Sequence, residues 1–443
     1  MKDREIMSPA KNIRGGAKPR HCKNTADCET VVMPAPEVIT VAMQQHIGAP
    51  CTPCVAVGDT VYVGTKIGDS DKFVSAPIHS GVSGKVSAVT TTTLTNGVTC
   101  EAIQIENDGQ GIPDPNLKAP LVETEEQLVK AVRDMGLVGL GGAGFPTHVK
   151  LVKQPDKPLD TLIINGAECE PYITADYREC IENPNDVLEG VYKLLDIMKF
   201  ERVIIAIEDN KPDAISLLYD IAADKRDTEN RVRLMKLKSR YPQGAEKVLI
   251  YTTTGRVLPL GKLPADIGCV VMNITSIAAI GRYLKTGMPL TTKRLTVDGD
   301  AIEKPQNVSV TIGTKLQEVI DFCGGFKGNA SKIIVGGPMM GFSVHDTGIP
   351  VLKQNNAILC FSESKAKLPE IENCIRCGKC AEACPMGLAP FHIAAALKND
   401  DLDEAEKLGA NYCMECGSCA FTCPSARPIV QVMRATKQAL RNK

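Results

Sequence analysis

Apolar and polar positions change their spacing several times along the chain. From Met33 to Asn107 the residues are β-branched and glycine-rich with no helical period. That pattern predicts short strands, with turns at Gly58-Asp59 and Gly64 and a tight bend over Ser80–Gly84. TLIINGAECEP (161–171) is a β-rich run ending in acids, and VIIAIEDN (203–210) is a second apolar strand with the same ending. Helical spacing covers Asp186–Lys199 and Pro212–Ala223. Strands alternating with helices predict an α/β domain with a parallel sheet. Ligand groups gather at the carboxyl ends of such strands, where Asn165, Glu168 and Glu170 stand. From Thr291 to Met340 short strands surround one helix at Thr314–Cys323. Between Leu388 and Tyr412 an Ala/Leu-rich stretch with an acidic break near Asn399–Asp403 predicts two short helices.

Composition narrows the function. A length of 443 residues predicts two to four domains, at roughly 100–200 residues each. Lys+Arg 51 against Asp+Glu 52 argues against nucleic acid, which needs a clear basic excess. The start, MKDREIMSPAKNIRGG, is charged and lacks the apolar region of a secretory signal. The most apolar stretch, Cys269–Ile280, is broken by Asn273, Thr275 and Ser276, short of the ~18 apolar residues of a membrane span. A soluble, cytosolic chain is expected, held at a membrane only through partners. Its 18 cysteines then point to metal or redox sites rather than disulfides.

Eight cysteines lie in two runs of one grammar, CIRCGKCAEACP (374–385) and CMECGSCAFTCP (413–424). Each reads C-x2-C-x2-C-x3-C-P, the spacing that wraps cubane iron–sulfur clusters, with the fourth cysteine ligating the other cluster. One [4Fe-4S] cluster is expected on Cys374, Cys377, Cys380 and Cys423, and a second on Cys413, Cys416, Cys419 and Cys384. The competing reading is a pair of structural zinc sites. Four further cysteines, Cys22, Cys28, Cys51 and Cys54, form C-x5-C…C-x2-C beside His21. They are a candidate zinc or third iron–sulfur site, set against unrelated reduced thiols.

GLVGLGGAGFPTHVK (136–150) supplies glycines 139, 141, 142 and 144, where the backbone can approach a phosphate or a flat ring, and Lys150, which can supply charge. Its spacing is not the ordinary dinucleotide fingerprint. Alone it reads equally as a glycine-rich turn packing a helix. The acidic run that follows in register favours a binding site.

GLGGAGFPTHVK, NGAECEP and YPQGAEKVL (241–249) resemble, in order and spacing, the FMN- and NADH-binding subunit of respiratory complex I and related hydrogenase subunits. The resemblance implies that Gly139, Gly141, Gly142 and Lys150 contact a non-covalently bound FMN. Asn165, Glu168 and Glu170 would lie near the flavin and the nicotinamide ribose. Tyr241, Gly244 and Glu246 would form a second FMN/NADH loop, Asn273 would stand on the flavin-phosphate side, and Phe145 would stack on the nucleotide. Three positions depart from the pattern: Leu140 replaces an Arg, Ala167 an Asp, and Ala245 a Glu.

Met33–Asn107 resembles the barrel-sandwich fold of biotinyl and lipoyl domains, and Thr291–Met340 the soluble-ligand-binding β-grasp (SLBB) domain. The expected fold class is multidomain α/β and α+β. It comprises a barrel-sandwich domain (1–115), an FMN/NADH-binding α/β domain (116–290), a β-grasp domain (291–345), and a linker with an α-helical 2[4Fe-4S] ferredoxin domain (346–443). This order is similar to the RnfC family of Rnf electron-transport complexes over Pro34–Arg434. The resemblance implies a peripheral subunit on the cytoplasmic side of the cell membrane, within an ion-translocating ferredoxin:NAD+ oxidoreductase. It would pass electrons between NAD(H), FMN and the two clusters, with the other membrane-complex subunits, including a ferredoxin-type subunit, as partners. No acid/base triad is required, because the redox chemistry is the cofactors'. The order also resembles flavin-dependent cobalamin reductases. A non-catalytic electron relay stays open through Leu140 and Ala245.

Overall fold

The two apolar strands that end in acids lie side by side inside a five-stranded sheet. In the computed structural model, which describes residues 7–153, 156–224 and 226–443, the strand order is Met7–Lys11, Val232–Leu237, Arg202–Glu208, Thr161–Gly166, Cys269–Asn273. Every neighbouring pair is parallel. Helices cover the sheet, so Leu162, Ile163, Ile164, Val203, Ile205 and Ile207 are all buried, and the strands read as continuous apolar runs. The apolar stretch Cys269–Ile280 divides at Asn273. That side chain accepts from Thr275 N at 3.0 Å and Ser276 N at 3.4 Å, ending the strand and capping the helix Ile274–Thr286. The helix expected over Asp186–Lys199 spans Pro184–Met198, and Lys199 leaves it in the left-handed region. The next spans Pro212–Ala222.

The strands starting at Thr161, Arg202 and Val232 step in one direction across the sheet. The chain then returns to lay Cys269–Asn273 on the other flank of Thr161–Gly166. That reversal opens a crevice at the carboxyl ends of these two strands.

The segment read as all-β forms two small sheets. One orders Val38–Ala42, Thr99–Asn107, Gly84–Thr93 and Thr60–Val61; the other orders Thr52–Pro53, Lys66–Asp69 and Ile78–His79. Ile39, Val41, Met43, Ile67, Ile78, Ile103 and Ile105 fill the space between them. The β-grasp helix spans Leu316–Phe322. Its sheet reaches outside 291–345. Ala357–Ser362 lies between Thr292–Asp298 and Ala330–Val335, and Thr30–Val32 adds an edge beside Gln306–Thr311.

Both short helices expected between the cysteine runs are present, Pro390–Lys398 and Leu402–Lys407. The acidic break supplies Asp401 as the second one's N-cap. With Ile429–Asn442 they enclose a small core of Cys380, Ile393, Ala410, Ile429 and Met433.

Candidate functional site

Asn165 and Asn273 are register partners at the ends of adjacent strands, one on each side of the crevice. Asn165 Nδ2 donates to Gly244 O at 2.8 Å, which docks the second loop on the first strand. Lys150 Nζ donates to Val271 O at 3.0 Å and pairs with Glu246 at 3.4 Å. The glycine loop closes through Gly139 N to Phe145 O at 2.8 Å and Gly144 N to Gly139 O at 3.2 Å. Its tip, Gly141 to Ala143, is exposed, and Phe145 is half-buried. Gly142 sits at φ +115°, a conformation L side chains avoid, and a Cβ on Gly141 would stand 3.1 Å from Asn273 Nδ2. The two loops, the acidic run and Asn273 thus converge on one crevice. Of the three departures, Leu140 and Ala167 are buried in the apolar core.

The acidic run is held from behind by buried ammonium groups. Lys23 Nζ donates to the carbonyls of Glu168 (2.8 Å), Glu170 (2.9 Å) and Ile173 (2.5 Å). Lys211 Nζ donates to Ala167 O at 2.7 Å. Glu168 adopts a left-handed φ of 47°, and its carboxyl accepts from Asp176 N at 2.6 Å. Burial pushes the Glu168 carboxyl up to about 7 despite nearby Lys23, and burial lowers Lys23.

Glu170 turns towards the end of the β-grasp segment. One carboxyl oxygen accepts from Met339 N at 3.0 Å. The other is buried without a hydrogen-bond partner. Tyr241 Oη faces this carboxyl, but its single proton goes to Cys416 O at 2.6 Å. A Glu170–Tyr241 hydrogen bond therefore needs the carboxyl's own proton. Burial pushes Glu170 up to about 7, which keeps that proton available near neutrality.

The raised value fixes a sign. An unfolded glutamate releases its proton near about 4.3, whereas folded Glu170 holds it to about 7. Its contribution to stability is complete below the unfolded value and is lost as pH rises through 7. We expect Glu170→Gln to flatten this part of the slope and to raise stability at pH 8 by up to about 3 kcal/mol. Melting temperature between pH 5 and 8 checks it; parallel curves for the two proteins would refute it.

Across the Tyr241 contact lies a cavity of ≈ 390 Å³, counted with its open mouth. Cys384, Cys413, Cys416 and Cys419 line it, among Met386, Leu388, Pro390, Val430 and Met433. Burial pushes Cys419 up to about 12, and Cys416, Cys413 and Cys384 each add to the shift as like charges. Four thiols facing one apolar-walled space suit a cationic iron–sulfur core, which removes that repulsion. The carboxylate at the rim, Glu415, is engaged by Arg434 at 2.9 Å and Lys437 at 2.6 Å. Of the other four thiols, Cys380 and Cys423 pack into the small helical core. Glu372 N donates to Ser425 O at 3.1 Å and Ser425 Oγ to Asn373 O at 3.0 Å, bringing the start of the first run beside Cys423. Cys380 is buried there, while Cys374 and Cys377 are exposed.

The structure does not assemble the four N-terminal cysteines. Cys51 lies in the barrel-sandwich core and donates to Ala76 O at 3.3 Å. Cys54 is exposed. Cys28 faces Pro305 O at 4.0 Å on the β-grasp sheet, and Cys22 contacts Tyr172.

Residues 11–110 match the RnfC barrel sandwich hybrid domain, 132–282 the Nuo51 FMN-binding domain, 294–343 the SLBB domain, and 368–429 a 4Fe-4S dicluster domain. The chain is 43% identical over 433 residues to the corresponding component of the Na(+)-translocating ferredoxin:NAD(+) oxidoreductase complex of Acetobacterium woodii, covering 97% of each chain. The chain belongs to the RnfC family of these ion-translocating oxidoreductase complexes. A relative from the proton-translocating complex of Clostridium ljungdahlii is 43% identical over 403 residues, covering 90% of this chain and 87% of its own. An NAD+-reducing [NiFe]-hydrogenase shares the fold, with TM-score 0.51 at 19% identity over 71% of this chain and 62% of that one. FMN and paired [4Fe-4S] clusters, expected from sequence, are the cofactors of the matched domains. No helix among the described residues is long and apolar enough to cross a membrane.

Several residues of this RnfC-family site escaped sequence reasoning. Asp176 joins the crevice floor, accepting from Asn273 Nδ2 and Thr275 Oγ1, each at 2.7 Å. Lys23, Lys211, Lys293 and Lys353 are isolated lysines with no motif, and burial alone distinguishes them. The segment Ile13–Ala17 carries no pattern either. Yet Ala17 bonds Tyr241 in both directions, and Gly16 N donates to Ala383 O at 2.9 Å.

Proposed function

We propose that the crevice between Asn165 and Asn273 binds FMN and NAD(H), and that Tyr241 links it to the cavity of Cys384, Cys413, Cys416 and Cys419. The observation that carries this reading is the Tyr241 Oη–Cys416 O hydrogen bond of 2.6 Å, made by a residue that also faces Glu170. Bound FMN supplies the exchange between a hydride's two electrons and the single electrons a cubane carries. The exposed loop tip and the helix that starts at Ile274 would hold the flavin, with Lys150 contributing charge. Glu168 and Glu170 would orient the ribose, and Phe145 would cover the nucleotide. Cys374, Cys377, Cys380 and Cys423 would hold the second cluster. Its exposed thiols, with the exposed Leu368 and Ile371 before them and Ile375 between them, favour this end as the contact with a ferredoxin-type partner.

On this reading the chain works as a peripheral subunit on the cytoplasmic side of an ion-translocating ferredoxin:NAD+ oxidoreductase. Of the two departures that keep an electron relay open, Leu140 sits in the core and leaves the loop tip open, which supports a working pocket, while Ala245 is half-buried in the second loop. The cluster-loaded chain is expected to bind FMN non-covalently and to oxidise NADH with an artificial acceptor. Lys150→Met should weaken FMN binding by roughly tenfold or more, the scale of one charge-assisted hydrogen bond. Flavin fluorescence titration measures it, and unaltered affinity would remove Lys150 from the site.

A further inference from the structure

The glycine loop belongs to the α/β domain, but much of what fixes it comes from elsewhere. Lys353 is buried. Its Nζ donates to Gly136 O at 2.7 Å and to Pro77 O at 2.5 Å, joining the start of the loop to the barrel-sandwich domain. Its own amide is held by Gln45 Oε1 at 3.1 Å. Lys293 is also buried. It leaves the first β-grasp strand and donates to Leu140 O at 2.9 Å, in the middle of the loop. At the far end Ile47 N, again from the barrel-sandwich side, donates to Gly144 O at 3.0 Å. The loop carbonyls that would otherwise be buried without partners are thus met by groups outside residues 132–282, the span that matches the FMN-binding domain.

An ammonium taken out of water and bonded to main-chain carbonyls holds them with charge-assisted bonds and has no solvated alternative nearby. Both ammonium groups bond main-chain carbonyls, Lys293 that of Leu140 and Lys353 those of Gly136 and Pro77, so each places a hydrogen bond on a loop carbonyl. Between the anchored carbonyls at 136, 140 and 144, the tip Gly141–Ala143 stays exposed.

We infer that Lys293 and Lys353 are positioning residues for flavin binding, acting from the β-grasp and following segments to hold the glycine loop in its binding shape. This inference rests on the reading of that loop as the FMN site. The flanking domains would then complete the flavin site as well as connect it.

The test uses the full chain with both clusters loaded and flavin removed, titrated with FMN by fluorescence quenching. The variants are Lys293→Met and Lys353→Met. Lys332→Met, which loses only a bond to Ala366 O, is the control. Each of the first two should weaken FMN binding roughly ten- to a hundredfold, the scale of one or two charge-assisted bonds, and the control should not. In the flavin-free chain, amide hydrogen exchange over Gly136–Gly144 should accelerate, with the helix Glu125–Asp134 unchanged.

Wild-type affinity and exchange in Lys293→Met would overturn the inference, as would faster exchange spread equally over the loop and that helix. If Lys353→Met does not accumulate with its clusters, Lys293→Met decides. A wild-type chain that fails to bind FMN would overturn the flavin reading instead. The exchange measurement would then still judge the clamp.

Discussion

A chain carrying Cys384→Ser together with Cys416→Ser is expected to keep one [4Fe-4S] cluster, whereas Cys380→Ser together with Cys416→Ser should keep none. The two doubles remove the same number of thiols. They differ only in whether both come from one cavity. Cys384 belongs by sequence to the first run, yet it lines the same space as Cys413, Cys416 and Cys419. Its Sγ accepts from Leu388 N at 3.4 Å, which turns it to that side. Thiolate ligands account for most of the free energy that holds such a core, so losing one or two from a single cavity empties it and spares the other. Iron and sulfide per chain should fall from about eight to about four in the first double, with one spectroscopic cluster signal remaining. Loss of both clusters there would mean that each run binds its own.

Gly16→Val should disconnect the flavin side from the clusters. Gly16 has φ +80°, and a Cβ there would lie 2.5 Å from Tyr241 O and 2.7 Å from Ile13 Cδ1. On the next residue back, a Cβ on Gly15 would lie 2.8 Å from Cys384 O. The segment is squeezed between the residue that faces Glu170 and the backbone of a cavity cysteine. A branched side chain in the left-handed region costs about 1–2 kcal/mol, and the forced displacement about 1–3 kcal/mol more. Lifting the segment is the available relief, and it breaks Gly16 N–Ala383 O or the paired bonds to Tyr241. NADH should still bleach bound FMN at its usual rate, since the contact falls on the Tyr241 backbone and not on Lys150, Asn165 or Asn273. Electron passage onward to the clusters should slow by roughly tenfold or more, equivalent to about 1.4 kcal/mol of barrier. Rapid-mixing absorbance separates the two steps; normal onward transfer in a normally stable variant would count against the junction.

Much of this was legible because local chemistry and global fold agree. Continuous apolar runs ending in Asn or Glu suit buried parallel strands with polar ends, and the cysteine runs repeat the spacing of cubane ligands. What escaped notice was non-local. Met7–Lys11 has no apolar run, and its place at the sheet edge depends on Val232–Leu237 being there to receive it. Thr30–Val32 joins the β-grasp sheet from more than 250 positions away in sequence, paired through Asn307↔Thr30. A lysine at position 23, 293 or 353 reads as a surface charge until its burial is known. The four N-terminal cysteines, offered by their spacing as a candidate site, lie in separate surroundings, Cys51 in the barrel-sandwich core and Cys28 against Pro305 O.

The pairing of Met7 with Leu234 also sets a timetable for biosynthesis. The first strand leaves the ribosome long before its partner exists. At a synthesis rate of about 5–20 residues per second, it waits on the order of 10–45 seconds. Until then the sheet edge is open, and the segment that later lies against Tyr241 and Cys384 has nothing to rest on. The junction between the flavin domain and the clusters is therefore among the last parts of the molecule that can close, after the strand beginning at Val232 and the cysteine runs have both been made.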